Sequence, residues 1–193
     1  MFLNKLFVVF IALAFCLFSS VEGHCQEGKE QTEFEIISVG VRGGFNPVPG
    51  GIPPGEYEDF QQYDVFGIVG FPGKWDTLWG VEGRYLWYTS AGIIRAAGDE
   101  GFITTFGPGL AFTKLDWNLT LEMGTGGVIV SDDTFGVQDF GGKVQFLAHG
   151  ALSYHFPQHI SLGWRFQHFS DATIYGSGNR GVDFHFLELR YGF

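Results

Sequence analysis

Apolar and polar residues alternate with a period of two along most of this sequence, and this alternation restricts its fold more than any other feature. The alternation is clearest in the segment Asp116–Met123, whose apolar members are Trp117, Leu119, Leu121 and Met123. A period of two places these side chains on one face of an extended strand, whereas an amphipathic helix needs a period of about 3.6. The segment is therefore predicted to be a β-strand with one apolar face and one polar face.

Seven further segments repeat this pattern and are separated by turn-forming residues. The segments approach the length of about 10 residues that a tilted strand needs to cross a bilayer. The chain is also rich in glycine, and 18% of its residues are aromatic. The apolar faces of the seven segments carry Ile37, Val39 and Val41; Tyr63, Val65, Val69 and Phe71; Trp79, Val81, Tyr85 and Trp87; Phe102, Phe106, Leu110 and Phe112; Val144, Phe146 and Ala148; Leu162, Trp164 and Phe166; and Leu187, Leu189, Tyr191 and Phe193.

The opposite faces of the strands carry charges of both signs, which can neutralise one another inside a narrow closed lumen while the aromatic faces contact lipid. Closure also pairs every backbone N–H and C=O group, as a membrane requires. We therefore predict an all-β fold, an eight-stranded antiparallel outer-membrane β-barrel. The alternative is a soluble lipocalin-like barrel with its faces reversed. The charged residues are Arg42, Glu82, Arg84, Glu122, Lys143, Arg165, Glu188 and Arg190.

The connections between the strands are predicted to alternate in length. Outer-membrane barrels keep short turns on the periplasmic side and long loops outside, so eight strands place both termini in the periplasm. The predicted short turns are Pro72–Trp75, Lys114–Asp116 and Phe156–His159. The predicted long loops are Pro47–Asp59, Thr89–Glu100, Ser131–Gly141 and Asp171–Gly181.

The N-terminus has the features of a cleaved secretory signal. Met1–Lys5 carries one positive charge, Leu6–Leu17 is apolar but too short to span a bilayer, and Val21–Gly23 resembles a cleavage site. We predict a signal peptide at 1–23, a short periplasmic segment at 24–32 and the barrel at 33–193. Cleavage leaves Cys25 as the only thiol, which excludes an intramolecular disulfide. The net charge of −10 argues against nucleic acid as a partner.

Three reactive residues are predicted to meet at the outer end of the last hairpin. His168 and Ser170 are two residues apart, so they share the apolar, lipid-facing side of their strand, and Asp183 has the same facing on the next strand. A polar trio on such a wall is costly unless it has a function. An imidazole can activate a serine hydroxyl, and a carboxylate can orient the imidazole, which is the chemistry of acyl transfer to lipid esters.

The same region is similar to a family signature. Its segments are Arg165-Phe166-Gln167-His168-Phe169-Ser170-Asp171-Ala172 and Asn179-Arg180-Gly181-Val182-Asp183. They resemble the pattern of the PagL-type lipid A 3-O-deacylases, approximately His-x-Ser-Asn-Ala, a short loop, and Asn-x-Gly-x-Glu. The resemblance implies an eight-stranded outer-membrane barrel that hydrolyses the ester-linked 3-hydroxyacyl chain at position 3 of lipid A. Lipopolysaccharide in the outer leaflet would be its substrate, and neither a cofactor nor a metal is implied.

By position, the resemblance makes His168 the base, Ser170 the nucleophile, Asp183 the orienting acid and Asn179 a candidate oxyanion-hole donor. The sequence departs from the pattern in three ways: Asp183 replaces Glu, Asp171 replaces Asn, and the loop is one residue longer. An ionised Asp171 cannot donate a hydrogen bond to an oxyanion. Its other interpretation is a residue that caps the external turn.

Several alternatives remain open at this point. A non-enzymatic barrel with a degenerate triad, acting in adhesion or envelope integrity, fits the same strands. His185 shares the outward face of Asp183 and is either an interfacial residue or an alternative base. The other histidines, His149, His155 and His159, show no metal-ligand spacing. Whether the protein forms a homodimer is also left open.

Overall fold

The structure, a computed structural model, describes residues 33–46, 58–176 and 181–193. The predicted signal peptide at 1–23 and the segment at 24–32 lie outside the described residues, so both stay predictions. None of the helices in the described part of the chain is long and apolar enough to cross a membrane.

Eight strands of the described chain close into an antiparallel barrel, which confirms the predicted fold class. Their order around the barrel is β1-β10-β9-β8-β5-β4-β3-β2, and β6 with β7 forms a separate small hairpin between β5 and β8. The strands are β1 (Glu35–Phe45), β2 (Gln61–Asp76), β3 (Val81–Ala96), β4 (Asp99–Lys114), β5 (Leu119–Val130), β6 (Thr134–Phe135), β7 (Gln138–Asp139), β8 (Val144–His155), β9 (Ile160–Ser170) and β10 (Gly181–Gly192). Three short 3-10 helices link strand pairs at one end, which we call the turn end: Leu78–Gly80, Leu115–Trp117 and Pro157–His159. The opposite end, where β9 ends and β10 begins, is called the loop end.

Two of the predicted turn-end connections are displaced. The turn predicted at Pro72–Trp75 is wrong, because β2 continues to Asp76 and the chain reverses just after it, at the 3-10 helix Leu78–Gly80. The β2–β3 register shifts between Gly70 and Lys74, so the proline lies in an irregularity. Proline is tolerated at such irregularities because a ladder hydrogen bond is already missing there.

The next turn is also displaced toward the C-terminus, which moves the start of the predicted strand Asp116–Met123. Residues Leu115–Trp117 form a 3-10 turn, and Asn118 follows with a left-handed φ of 53°. The strand therefore begins at Leu119. Asparagine adopts the left-handed region more readily than most residues, which suits it to end this turn.

The long loop predicted at Thr89–Glu100 is also wrong. Strands β3 and β4 stay paired as far as Ala96 opposite Asp99, so only Ala97 and Gly98 connect them. Both residues have positive φ, of 55° and 91°, as the tightest hairpin turns require. None of the outward side chains of this part of β3 is aromatic, and three of the four, Thr89, Ala91 and Arg95, are small or polar, which is why the sequence pattern there indicated a loop.

The outer wall of the barrel is apolar, as the alternation predicts. One predicted outward residue is misplaced, since the register of β1 against β2 shifts between Ile36 and Ser38. This bulge turns Ile37 toward an interior cluster, against which it packs. The exposed residues of the wall include Val39, Val41, Val65, Trp87, Phe146, Leu152, Trp164, Leu187 and Leu189.

A network of buried arginines and carboxylates fills the middle of the lumen. Arg165 is its centre: its Nε lies 2.6 Å from Glu188 Oε1, and its Nη2 lies 2.7 Å from Glu122 Oε2. In the described lumen each arginine of the network has an acidic partner, so the charges balance as the sequence predicts. The members are Arg42, Asp64, Glu122, Arg165, Glu188 and Arg190.

An aromatic cluster that the sequence pattern does not reveal closes the loop end of the lumen. Phe169 and Phe184 stack at 6.0 Å between ring centroids, and Phe140 from the connection between β7 and β8 contacts Phe169 at 5.4 Å. The cluster ties the ends of β9 and β10 to the small hairpin above them. Its fully buried phenylalanines are Phe60, Phe135, Phe140, Phe169, Phe184 and Phe186.

A charge placed on the middle of the outer wall tests which solvent this wall faces. We expect Val65→Arg to destabilise the barrel by about 2–4 kcal/mol in phospholipid vesicles, because hydrocarbon does not solvate a guanidinium. Gln61→Arg lies on the same face of β2 at the loop end, where we expect a change of about 0–1 kcal/mol. Urea unfolding followed by tryptophan fluorescence measures both variants. Equal stabilities would contradict a lipid-facing wall.

Candidate active site

His168 and Asp183 lie directly opposite each other on β9 and β10. The Nδ1 atom of His168 is 2.6 Å from Oδ1 of Asp183. Because an ionised carboxylate only accepts hydrogen bonds, Nδ1–H is the donor and Nε2 of the neutral ring is left as a base. The Asp183 side chain is 1% exposed and the His168 side chain 14%, so the carboxylate is shielded while the imidazole keeps an accessible edge.

Ser170 ends β9, two residues beyond His168 and on the same outward face. The residue is buried, and its cross-strand partners are Phe146 on β8 and Gly181 on β10. In the described chain its hydroxyl makes no hydrogen bond to His168. The structure thus joins His168 to Asp183 and brings Ser170 beside them without linking it to the imidazole.

Gly181 gives Ser170 the space it occupies. A Cβ atom at position 181 would lie 2.7 Å from the Cβ of Ser170 and 2.3 Å from the carbonyl oxygen of Phe169. Any larger residue would therefore displace the end of β9, and Ser170 with it. The sequence pattern contained this glycine without showing what it does, since its role depends on the cross-strand register.

The two predicted supporting residues differ in what the structure shows of them. Asp171 is fully buried, and its Oδ1 accepts a hydrogen bond of 3.0 Å from the backbone N–H of Thr173. Its carbonyl oxygen accepts another from Ile174 N–H, also at 3.0 Å, so Asp171 organises the turn after β9. Asn179 lies outside the described residues, and its role as an oxyanion-hole donor stays a prediction.

His185 belongs to an aromatic cluster on the outer wall, one step from Asp183 toward the turn end. Its ring stacks on Trp164 at 5.6 Å between centroids and meets Phe166 edge-on at 5.3 Å. Phe45 lies at 6.4 Å on the other side. These contacts favour the interpretation of His185 as an interfacial residue over that of a base.

The other histidines are dispersed. His149 lies in the lumen with its Nδ1 2.5 Å from Arg165 Nη1, whereas His155 bridges the hydroxyls of Thr120 and Ser161 near the turn end. His159 lies in a turn beside Tyr191. The described residues contain no group of three His, Cys, Asp or Glu side chains placed to hold a metal ion.

A family model matches most of this chain, and a solved structure has a similar fold. Residues 62–192 match the family model described as lipid A 3-O-deacylase (PagL). The fold is similar to the solved structure described as "Crystal structure of the outer membrane enzyme PagL", with a TM-score of 0.62 and 18% identity, over 80% of this chain and 99% of that one. No curated protein matches the sequence. The structural likeness concerns the fold alone, whereas the family match spans β2 to β10, so the chain belongs to the lipid A 3-O-deacylase (PagL) family.

Proposed function

We propose that this protein is an outer-membrane serine esterase that removes the ester-linked 3-hydroxyacyl chain at position 3 of lipid A. The observation that carries the proposal is the contact of 2.6 Å between His168 Nδ1 and Asp183 Oδ1, beside Ser170 on the outward face. A base, an orienting carboxylate and a hydroxyl in this order are the parts that ester hydrolysis by serine requires. Membership of a family described by this reaction supports the choice of substrate.

The reaction would run in two steps. Nε2 of His168 accepts the Ser170 hydroxyl proton while Oγ attacks the ester carbonyl carbon. The imidazolium then gives this proton to the 3-oxygen of the sugar as the bond between that oxygen and the carbonyl carbon breaks. Water then attacks the acyl-enzyme with His168 again as base, which releases a 3-hydroxy fatty acid and restores Ser170. Asp183 keeps Nδ1 protonated and stabilises the imidazolium throughout. The distance from Ser170 Oγ to Nε2 must shorten on substrate binding, as is common for catalytic hydrogen bonds.

The tetrahedral intermediate carries a negative charge that needs hydrogen-bond donors. Asn179 and the backbone N–H groups of the connection after Ser170 are the proposed donors. Asp171 is assigned to the turn instead, because its Oδ1 is already engaged by the Thr173 N–H. None of these steps needs a cofactor or a metal ion.

The position of the site on the outer wall suits a substrate that stays in the membrane. The wall below His168 carries exposed apolar side chains, including Trp164 and Leu187. A lipid could therefore keep its acyl chains in the leaflet while its ester bond reaches Ser170 at the loop end. The predicted signal peptide and the balanced charges of the lumen support placement of the barrel in the outer membrane, with the loop end outside.

The proposal is tested by the lipid A of cells that produce the protein. We expect mass spectrometry to show the loss of one 3-hydroxyacyl chain, in a host whose own lipid A keeps both primary chains at the 3-positions. Unchanged lipid A, with the folded barrel present in the outer membrane, would favour the alternative of a non-enzymatic barrel. The observation that favours a non-enzymatic barrel is the absence, among the described residues, of a hydrogen bond between Ser170 and His168.

Asp183 is expected to act through the imidazole. Asp183→Asn should lower kcat by about 10²–10⁴-fold, because an amide can neither fix the tautomer of His168 nor stabilise its charged form. Asp183→Glu should retain much of the activity, since the family pattern carries Glu at this position. Turnover of purified lipid A in detergent measures both variants.

His185 supplies a matched control for this prediction. His185→Phe keeps an aromatic ring against Trp164 and Phe166, and we expect its kcat to stay within about threefold of the wild type, an effect too small for a lost catalytic base. If His185→Phe were as inactive as Asp183→Asn, the base would have to be assigned to His185 instead of His168.

A further inference from the structure

Lys143 differs from the other cationic side chains of the described residues in having no carboxylate within 4.0 Å. Its Nζ donates a hydrogen bond to the carbonyl oxygen of Ser131, which holds the side chain in place. An ammonium group has three N–H donors, so two remain for another acceptor. The residue is exposed. The Lys and Arg residues that do have such a partner are Arg42, Lys74, Arg84, Arg95, Lys114, Arg165 and Arg190.

Lys143 lies in the layer just beyond the apolar wall. It immediately precedes β8, whose outward face starts with the exposed Val144. Further along β8, Phe146 is the cross-strand partner of Ser170. Lys143 is three residues closer to the loop end than Phe146, which corresponds to about 10 Å along the strand. A lipid whose ester bond lies at Ser170 would therefore have its head group at the level of Lys143.

The chain that leaves Ser170 folds back onto the segment that contains Lys143. The ring of Tyr175 covers Gly142, where an added Cβ would lie 2.4 Å from the Tyr175 Cζ atom. Tyr175 and its neighbour Ile174 are both exposed on their outer sides. Lys143 and the turn after Ser170 thus border the same part of the barrel rim, as parts of one binding surface would.

Two of the acidic residues near Lys143 in sequence accept hydrogen bonds from other groups. Asp132 accepts a hydrogen bond of 3.0 Å from the Ser131 hydroxyl, and Asp139 accepts one of 2.6 Å from Gly141 N–H. The protein as a whole has a net charge of −10, which repels anions at long range. An anionic head group would therefore depend on a local cation, and Lys143 is placed to supply it.

We propose that Lys143 binds a phosphate group on the glucosamine disaccharide of the substrate and so contributes to its selection. This inference rests on the proposed function, since it takes the phosphorylated head group of lipid A as the ligand. The ammonium would donate charge-assisted hydrogen bonds to the phosphate oxygens without touching the ester. Lys143 therefore acts on substrate binding and leaves the chemical step unchanged.

The test compares two substrates, bisphosphorylated lipid A and lipid A from which phosphatase has removed both phosphates, with the full-length barrel in detergent micelles. We expect Lys143→Gln to raise KM for the phosphorylated lipid about tenfold with kcat within about twofold. Removal of the phosphates should raise the KM of the wild type by a similar factor and abolish the difference between wild type and Lys143→Gln. Lys143→Arg should restore most of the affinity. Lys74→Gln, which removes a lysine at the turn end, should behave as the wild type.

The possible outcomes distinguish a site for the phosphate groups of the lipid from an effect that does not depend on phosphate and from a site for free phosphate. An equal rise in KM of Lys143→Gln on both lipids would overturn the proposal, because the effect would not depend on phosphate. Inhibition by millimolar inorganic phosphate that is lost in Lys143→Gln, with no discrimination between the two lipids, would assign the site to free phosphate and also overturn it. Since the comparison of substrates on the wild type needs no substitution, a folding defect of the variant does not decide the result.

A binding measurement separates this inference from the proposed function. Ser170→Ala and Ser170→Ala/Lys143→Gln barrels are titrated with micelles of each lipid. If the wild type hydrolyses neither lipid but Ser170→Ala binds the phosphorylated lipid about tenfold more tightly than the double variant does, the esterase proposal fails and the Lys143 site stands. If binding is independent of phosphate and of Lys143, the Lys143 proposal fails whatever the activity.

Discussion

Ser170→Ala is expected to leave lipid A intact in cells where the wild-type protein removes a 3-hydroxyacyl chain. The substitution removes the proposed nucleophile, and residual turnover should fall by about 10³-fold or more, as for other serine hydrolases that lose a member of the triad. The alanine fits the space that Gly181 leaves beside position 170, so the barrel should fold normally. Mass spectrometry of extracted lipid A, and turnover by the purified barrel, measure the effect.

The matched control is Ser161→Ala, which removes a hydroxyl from the turn end of the same strand. Ser161 contacts His155 and lies far from the loop end, so we expect activity within about twofold of the wild type, as for a surface or remote substitution. His168→Ala should be as inactive as Ser170→Ala, and the double variant should be no worse, because the two residues act as a unit. Substantial hydrolysis by Ser170→Ala would end the serine mechanism.

Arg165→Met is expected to destabilise the barrel more than the outer-wall substitution Val65→Arg does. Arg165 is fully buried and pairs with Glu122 and Glu188, which are themselves buried. Removal of the cation leaves an uncompensated negative charge in the lumen, at a cost of about 3–5 kcal/mol. Urea unfolding in phospholipid vesicles measures the free energy, and loss of the compact, heat-sensitive band on a gel reports a failure to fold.

Two further variants make this prediction specific. Arg95→Met breaks an exposed ion pair with Glu100 at the loop end, and we expect it to change the free energy of unfolding by at most about 1 kcal/mol. Arg165→Met/Glu188→Gln removes one charge of each sign and should recover part of the loss, since Arg42 with Asp64 and Arg190 with Glu122 still balance. If Arg165→Met were as stable as Arg95→Met, the lumen would contain enough water to solvate the remaining carboxylates.

The facing of the strands could be predicted from the sequence because a period of two identifies the two sides of each strand without knowledge of its neighbours. The positions of strand ends and turns could not be predicted in this way, because the pairing of each strand with its neighbours determines them. Pro72 lies in an irregularity within β2, and Ala97 with Gly98 makes a tight turn where a long loop was predicted. In both places the local composition is typical of a turn or a loop. Only the pairing with the adjacent strand shows that the residues belong to a strand or to a tight turn.

The alternation along the strands also predicted part of the candidate site. A parity count along two consecutive strands put His168 and Asp183 on one face, and the structure adds that they are direct cross-strand partners. The spacing of residues does not fix a side-chain rotamer, so the distance between Ser170 and the imidazole could not be predicted. The cluster around Phe169 and Phe184 was missed because those residues lie on the side that the charges had identified as polar.

The filled lumen has a consequence for the cell that would carry this protein. Arginine–carboxylate pairs occupy its middle, and stacked phenylalanines fill its loop end. Over the described residues, these side chains leave less room for solutes than the wide channel of a porin does. An organism could therefore raise the abundance of such a barrel, and with it the extent to which lipid A is modified, without making its envelope permeable to toxic compounds.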